Sequence, residues 1–342
     1  MGGSLSELES RAAFTSVMQG EATAAQIAAL LIGLRVKGET PDEVAGAAGA
    51  LRSVMVRLPT DTPDDLVDTC GTGGGAVPTF NISTAAALLA AGLGVRIAKH
   101  GNRSFTTQCG SADVLEALGV PVDVSVDVMA RALRDVGIVF MFAPLMHPAM
   151  RHVGPIRREL SIPTVMNIVG PLANPASAGR QVVGVGDAAR VSLIAGALQR
   201  LGSVHALVVH GEPGMDEISP LGLTRVVEIR DGVSREWTID PSRYGFGAGL
   251  AAELAGGTPL ANAAAVIATL NGSAPPTAIS AVALNAAAAL YVAPGGPLEF
   301  GDAVVAARQG LADGVGLVAL NRLRAAFGQL PAKEENKNLV KD

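Results

Sequence analysis

Residues 68–84 read DTCGTGGGAVPTFNIST, a glycine turn (Gly71, Gly73, Gly74, Gly75) that runs into Asn81, Ser83 and Thr84. Three chemistries compete for such a turn. A Walker loop needs Gly-Lys-Ser/Thr after the glycines, and GTGGGAVP has none. A dinucleotide fingerprint fits loosely at Gly71-x-Gly73-x-x-Ala76 and again in GVGDAA (184–189), but neither is followed about 20 residues on by the acid that holds a ribose. The second of these reads as a plain tight turn. The third chemistry is a backbone anion cradle. Without Cβ atoms, successive N–H groups converge on one point, and a helix start beyond them adds partial positive charge. Hydroxyls at that start can cap the helix, donate to a phosphate or ligate Mg²⁺. Capping by Ser83 alone needs no glycines upstream, so the anion site is the better reading.

Two further segments suit an anion. AKHGNRS (98–104) gathers Lys99, His100, Asn102 and Arg103 at the end of a predicted strand, and Ser111 opens the next helix in CGSADVLEALG. GEPGMDEIS (211–219) carries the adjacent carboxylates Asp216 and Glu217 after another strand. Beside a phosphate-rich ligand such a couple anchors Mg²⁺, which takes one or two carboxylates and shares the rest with phosphates and water. Zinc is not indicated: no thiolates cluster, and His147 and His152 stand five apart, off a common helix face.

The elements that must position these groups fall into two textures. Residues 5–57 show only helical periodicity, with Gly20 and Gly38 as stops and Thr40-Pro41 as a helix start. From LVDTC (66–70) onward strand and helix signals alternate, which predicts a mainly parallel sheet flanked by helices. Residues 258–328 return to helix, and the polar residues 331–342 form a tail. The fold class is therefore α/β, a small all-helical domain over 1–66 and a larger α/β domain from 67 to 330. The chain has 342 residues, 49% hydrophobic and 17% charged, so each unit can build a core. A net charge of −5 argues against a nucleic-acid surface. Two cysteines, Cys70 and Cys109, make no disulfide framework, and a reducing cytoplasm fits. The longest apolar run, residues 278–293, is broken by Asn285 and is too short to span a membrane.

Seven ordered motifs, DTCGTGG, NIST, AKHGNRS, GSADVLEALGV, HPAMRHVGPIRREL, NIVGPLANPA and MDEIS, resemble the anthranilate phosphoribosyltransferases from about residue 10 to 328. KHGNR together with GPLxNP separates the chain from pyrimidine nucleoside phosphorylases of the same fold. The resemblance implies two domains with a hinge, residues 147–175 rejoining the helical one, and a homodimer through it. It implies transfer of the phosphoribosyl group of 5-phosphoribosyl-1-diphosphate (PRPP) to the amine of anthranilate. By the same resemblance Gly71, Thr72, Gly73, Gly74, Asn81, Ser83, Thr84, Lys99, Asn102 and Ser111 bind PRPP, with Lys99 acting electrostatically. Ser83, Asp216 and Glu217 hold Mg²⁺. Gly71, His100, Asn102, His147, Arg157, Gly170 and Pro171 receive anthranilate. Read alone, Arg157 would be a surface ion pair with Glu159; inside this motif it suits the anthranilate carboxylate. Two alternatives are a nucleoside phosphorylase, which lacks its base-binding Lys–Ser pair here, and a non-catalytic nucleic-acid-binding relative.

The sequence departs from the family pattern at five positions. Gly75 stands where Asp is usual, so the response to Mg²⁺ should differ. Gln108 replaces a lysine, which should weaken PRPP affinity, and Phe105 and Cys109 are unusual beside it. Pro163 replaces an arginine and should alter the local loop.

Overall fold

The computed structural model describes residues 2–104 and 108–328. Phe105 and the tail at 331–342 lie outside the described residues. Three helices open the chain, α1 (Glu7–Gln19), α2 (Ala24–Lys37) and α3 (Pro41–Val54). Each begins with a capping box, Ser6 with Glu9, Thr23 with Gln26 and Thr40 with Glu43, so two free N–H groups per helix start are satisfied locally. Gly20 closes α1 in the left-handed region. The fully buried Glu43 carboxylate also takes Leu5 N at 2.8 Å and Lys37 Nζ at 2.9 Å, which ties the N-terminus to α3.

The α/β part runs β1 (Val67–Gly71), α4 (Ile82–Gly92), β2 (Ile97–Gly101), α5 (Ser111–Ala117), α6 (Val126–Val136) and β3 (Ile138–Phe142). Short helices α7 (Ala143–Met146), α8 (Gly154–Leu160) and α9 (Met166–Val169) then lead to β4 (Arg180–Gly184), α10 (Val191–Arg200) and β5 (His205–Gly211). β6 (Thr224–Arg230) and β7 (Val233–Ile239) precede α11 (Pro259–Leu270), α12 (Pro276–Val292), α13 (Phe300–Ala312) and α14 (Val315–Gly328). The sheet order is β3-β2-β1-β4-β5-β6-β7, parallel from β3 to β5 and antiparallel beyond. β7 is a strand the hydrophobic pattern does not reveal, because nearly all its side chains are exposed or half-buried. Its signal was the turn before it: Asp231 and Gly232 both take positive φ, as a tight Asp-Gly hairpin requires.

Alternate residues of the central strands feed two cores. Val182, Leu207 and Val209 join α4–α6 and α11–α14; Val183, Ala206 and Val208 join α10, α1–α3 and the segment 149–173. Segment 149–173 thus packs in one core with the N-terminal helices. Among the described residues no single helix is long and apolar enough to cross a membrane; α13 and α14 qualify only as a pair bent by 67°.

One polar network stiffens the antiparallel edge. The Glu228 carboxylate on β6 accepts from Arg235 Nε and Trp237 Nε1 at 2.8 Å each and from Tyr291 OH at 3.2 Å, and His205 Nε2 lies 2.9 Å away. Burial alone would raise its pKa, but His205 and Arg235 pull it down to about 2 from 4.5. A lowered carboxylate pKa stabilises the fold above pH 5, and that contribution fades as pH falls from about 4.5 toward 2. Allowing for the exposed arm of Arg235, it is roughly 2–3 kcal/mol. Urea titrations at stepped pH should show stability of the wild type dropping through this window. Glu228→Gln should be less stable at pH 7 and show a flatter pH slope; an identical slope would remove Glu228 from acid sensitivity.

Candidate active site

The chain leaves β1 toward β2 and β3 on one side and places β4 and β5 on the other. The crevice beyond the carboxyl ends of β1 and β4, where open α/β sheets bind ligands, lies at that reversal. Gly71 and Gly184 are register partners at its floor. The 211–219 loop folds over them so closely that a Cβ on Gly71 would sit 2.6 Å from Asp216 Oδ2, and one on Gly184 would overlap the Asp216 carbonyl. Gly73 and Gly74 have φ of 70° and 77°, which turns their N–H groups along the loop. The 184–189 turn that mimics a dinucleotide fingerprint is a wall of this crevice: Gly186 N donates to Thr72 Oγ1 at 3.1 Å and Thr72 N to Gly184 O at 2.9 Å.

The acidic couple meets the cradle directly. Asp216 Oδ2 accepts from Gly73 N at 2.8 Å, and Glu217 Oε1 accepts from Ser83 N at 3.1 Å. Ser83 is not the cap of α4. Asn81 holds that position without a side-chain bond, and Glu217 serves the helix start from across the crevice. Burial first, and then the neighbouring Asp216, push the Glu217 carboxyl up to about 8; burial also raises Asp216. Lys99 is 4% exposed rather than solvated, and its Nζ donates to the Thr69 carbonyl and to Ser83 Oγ at 3.2 Å. Burial lowers its pKa. Thr84 Oγ1 is buried and has no hydrogen-bond partner among the described residues.

A second group flanks the first. Asn102 O accepts from Ser111 Oγ at 3.2 Å, while Asn81 Oδ1 accepts from Asn262 Nδ2 at 2.9 Å and lies 3.3 Å from Cys109 Sγ. Arg103 is drawn away to Asp113 and Glu116, so it adds little positive field to the crevice. Cys109 is buried, and burial raises its thiol to about 11, so it packs as a small apolar residue. Gln108 and Pro163 are exposed.

The aromatic side of the site comes from both parts of the chain. His100 on β2 and His147 after α7 are buried, with ring centroids 4.9 Å apart. Burial, and for His100 also the facing His147, lower them to about 3 and 4, so both are neutral at pH 7. Among the described residues His100 Nε2 has no hydrogen-bond partner, and the Ala173 backbone lies beside the His147 ring. Gly170 and Pro171 form the adjacent turn; the Gly170 backbone lies beside His100, and the Pro171 carbonyl lies 4.0 Å from Cys70 Sγ. Arg157 sits on α8, half-buried, with no ion pair to Glu159 and no hydrogen bond among the described residues. β2 therefore divides the site: Lys99 and His100 are consecutive, so one points to the phosphate-type cradle and the other to the aromatic pocket.

The motif reading passed over three supports. Asn285 on α12 clasps the Ile218 backbone from both sides, at 2.9 and 3.0 Å, and so holds Asp216 and Glu217 in place. Thr69 receives Lys99. Asn262 orients Asn81. The polar Asn285 inside an apolar run was the one visible signal among them.

The chain's likeness to known proteins follows this division. Residues 1–55 match the helical bundle domain of the glycosyl transferase family and residues 63–316 its a/b domain, so the molecule is a transferase of that class. It is 45% identical to anthranilate phosphoribosyltransferase of Geobacillus kaustophilus and 46% to that of Chloroflexus aggregans, over 95% and 94% of both chains respectively. The structure of the Thermus thermophilus enzyme superposes with a TM-score of 0.89 at 40% identity, covering 96% of this chain and 97% of that one. The Saccharomyces cerevisiae enzyme in complex with PRPP and Mg superposes at 0.85 with 26% identity, covering 95% and 94%. The chain belongs to the anthranilate phosphoribosyltransferase family.

Proposed function

We propose that this enzyme transfers the phosphoribosyl group of PRPP to the amine of anthranilate, giving N-(5-phosphoribosyl)anthranilate and diphosphate in tryptophan biosynthesis. The observation that carries the reading is the meeting of Gly73, Ser83, Lys99 and the Asp216–Glu217 couple at the β1/β4 crevice, one strand from a neutral aromatic pocket.

Breaking the C1–O bond leaves cationic character on the ribose and negative charge on diphosphate. The glycine-turn amides, the Ser83 and Thr84 hydroxyls and the Lys99 ammonium face that growing charge and need not reorganise as it develops. Asn81, Asn102 and Ser111 hold the rest of PRPP. Asp216, Glu217 and Ser83 offer only oxygen donors, and the mutual repulsion of the carboxylates favours a divalent cation between them and the phosphates. Mg²⁺ held there would neutralise the leaving diphosphate. The amine of anthranilate is neutral at pH 7, forms the C1–N bond with its lone pair as the C1–O bond to diphosphate breaks, and passes a proton to the diphosphate or to water as the bond completes. His100 and His147, with Gly170 and Pro171, then serve to position an uncharged ring, and Arg157 to pair with its carboxylate. We also read the enzyme as a cytoplasmic homodimer joined through α1–α3, where Leu8 and Val36 are 76% and 82% exposed.

Steady-state turnover with PRPP, anthranilate and Mg²⁺, read by product fluorescence, tests the function; no turnover would overturn it. Gly75 supplies a finer test. A Cβ there would approach Asp216 Oδ1 at 3.1 Å, so aspartate would set a third carboxylate against the couple. Gly75→Asp should bind additional Mg²⁺ and be inhibited at concentrations the wild type tolerates. Superimposable Mg²⁺ titrations would contradict this.

A further inference from the structure

β1 and β2 are in register at one pair only, Val67 with Ile97, whereas β1–β4 and β2–β3 each hold five. Past that pair the backbone ladder between the two strands is interrupted, and side chains take over its groups. On the β2 side, His100 N donates to Asp68 Oδ1 at 3.1 Å, and the Ala98 carbonyl accepts from Asn174 Nδ2 at 2.9 Å. On the β1 side, the Thr69 carbonyl accepts from Lys99. Asp68 and Asn174 are joined to each other, Nδ2 to Oδ2 at 2.8 Å, and are 0% and 1% exposed. Asn174 Oδ1 accepts from Ala176 N and Ala178 N at 2.9 and 3.4 Å, which completes its hydrogen bonding and fixes the segment that follows Gly170 and Pro171.

We infer that Asp68 and Asn174 are positioning residues for the aromatic acceptor: together they bridge the interrupted β1/β2 ladder and set the His100 backbone against the 170–174 turn. The inference rests on the reading of His100, His147, Gly170 and Pro171 as the anthranilate pocket. The couple touches neither substrate. It acts by fixing the distance between a strand and a loop that approach the acceptor from opposite sides. An aspartate suits the task because a carboxylate only accepts, and both groups turned toward it are donors. An asparagine at 68 would turn an amide NH₂ toward the NH₂ of Asn174, or turn it toward the His100 N–H, and either would push the turn off its seat.

Kinetics of Asp68→Asn, Asn174→Asp and the exchanged double variant test this. Each single change should raise the anthranilate KM about tenfold or more and leave the PRPP KM within about twofold. The double variant restores a donor–acceptor pair between 68 and 174 but leaves the Ala98 carbonyl without its donor, so it should recover only part of the loss, about threefold or less. The amide proton of His100 should move upfield in Asp68→Asn, because it loses a charged acceptor. Parallel rises in both KM values, or an unchanged anthranilate KM in the single variants, would overturn the inference. If Asp68→Asn does not fold, Asn174→Asp and the double variant decide by the same KM comparison. Absence of wild-type turnover would instead overturn the functional reading.

Discussion

Lys99→Met is expected to lower kcat for phosphoribosyl transfer by about a hundredfold to a thousandfold, the scale seen when one preorganised electrostatic contact to developing charge is removed. Methionine keeps the unbranched stem within a buried site and deletes only the ammonium. That ammonium reaches Ser83 Oγ and the Thr69 carbonyl, and among the described residues no carboxylate forms an ion pair with it, although Asp68 and Glu217 attract it from farther off. A buried cation without an ion-pair partner costs folding energy, so the variant should be as stable as the wild type or more so. Activity and stability then move in different directions, which separates a site role from a structural one. A kcat within about threefold of wild type, with thermal unfolding unchanged, would remove Lys99 from the chemistry.

Arg157→Ala should raise the anthranilate KM at least tenfold and leave the PRPP KM near its wild-type value. The guanidinium is half-buried, its pKa is lowered by burial, and it makes no ion pair. A charge-assisted, bidentate contact with a carboxylate is worth about 1.5–3 kcal/mol, which is a factor of roughly ten to a hundred in binding. Arg157→Lys keeps the charge but loses the planar fork, and should fall between the two. Initial-rate measurements over an anthranilate series at saturating PRPP settle the matter, and an unaltered KM in Arg157→Ala would place the acceptor carboxylate elsewhere.

Much of the chemistry was legible in order and type along the chain because it depends on local backbone. The glycine turn, the hydroxyls at the start of α4 and the adjacent acids are each a few residues long, and the helix starts at Ser6, Thr23 and Thr40 announce themselves by a partner three positions on. What stayed hidden depends on contacts far apart in sequence. Asp68 meets Asn174 across 106 positions and Asn285 meets Ile218 across 67, and no local pattern reports either. Charge in a loop was also a poor guide. Lys99 and Arg103 look alike in AKHGNRS, yet one is buried beside Ser83 and the other is bound to Asp113 and Glu116 on the surface.

The hydrogen bonds from Gly73 N to Asp216 and from Ser83 N to Glu217 mean that the molecule keeps an internal counter-anion where an external one would dock. A dication that recruits the carboxylates sets those two N–H groups free, and an anion that claims the N–H groups sets the carboxylates free. On the proposed function, occupancy of either partner would then raise affinity for the other by the same factor. An isotherm for one ligand has meaning only at a stated concentration of its companion.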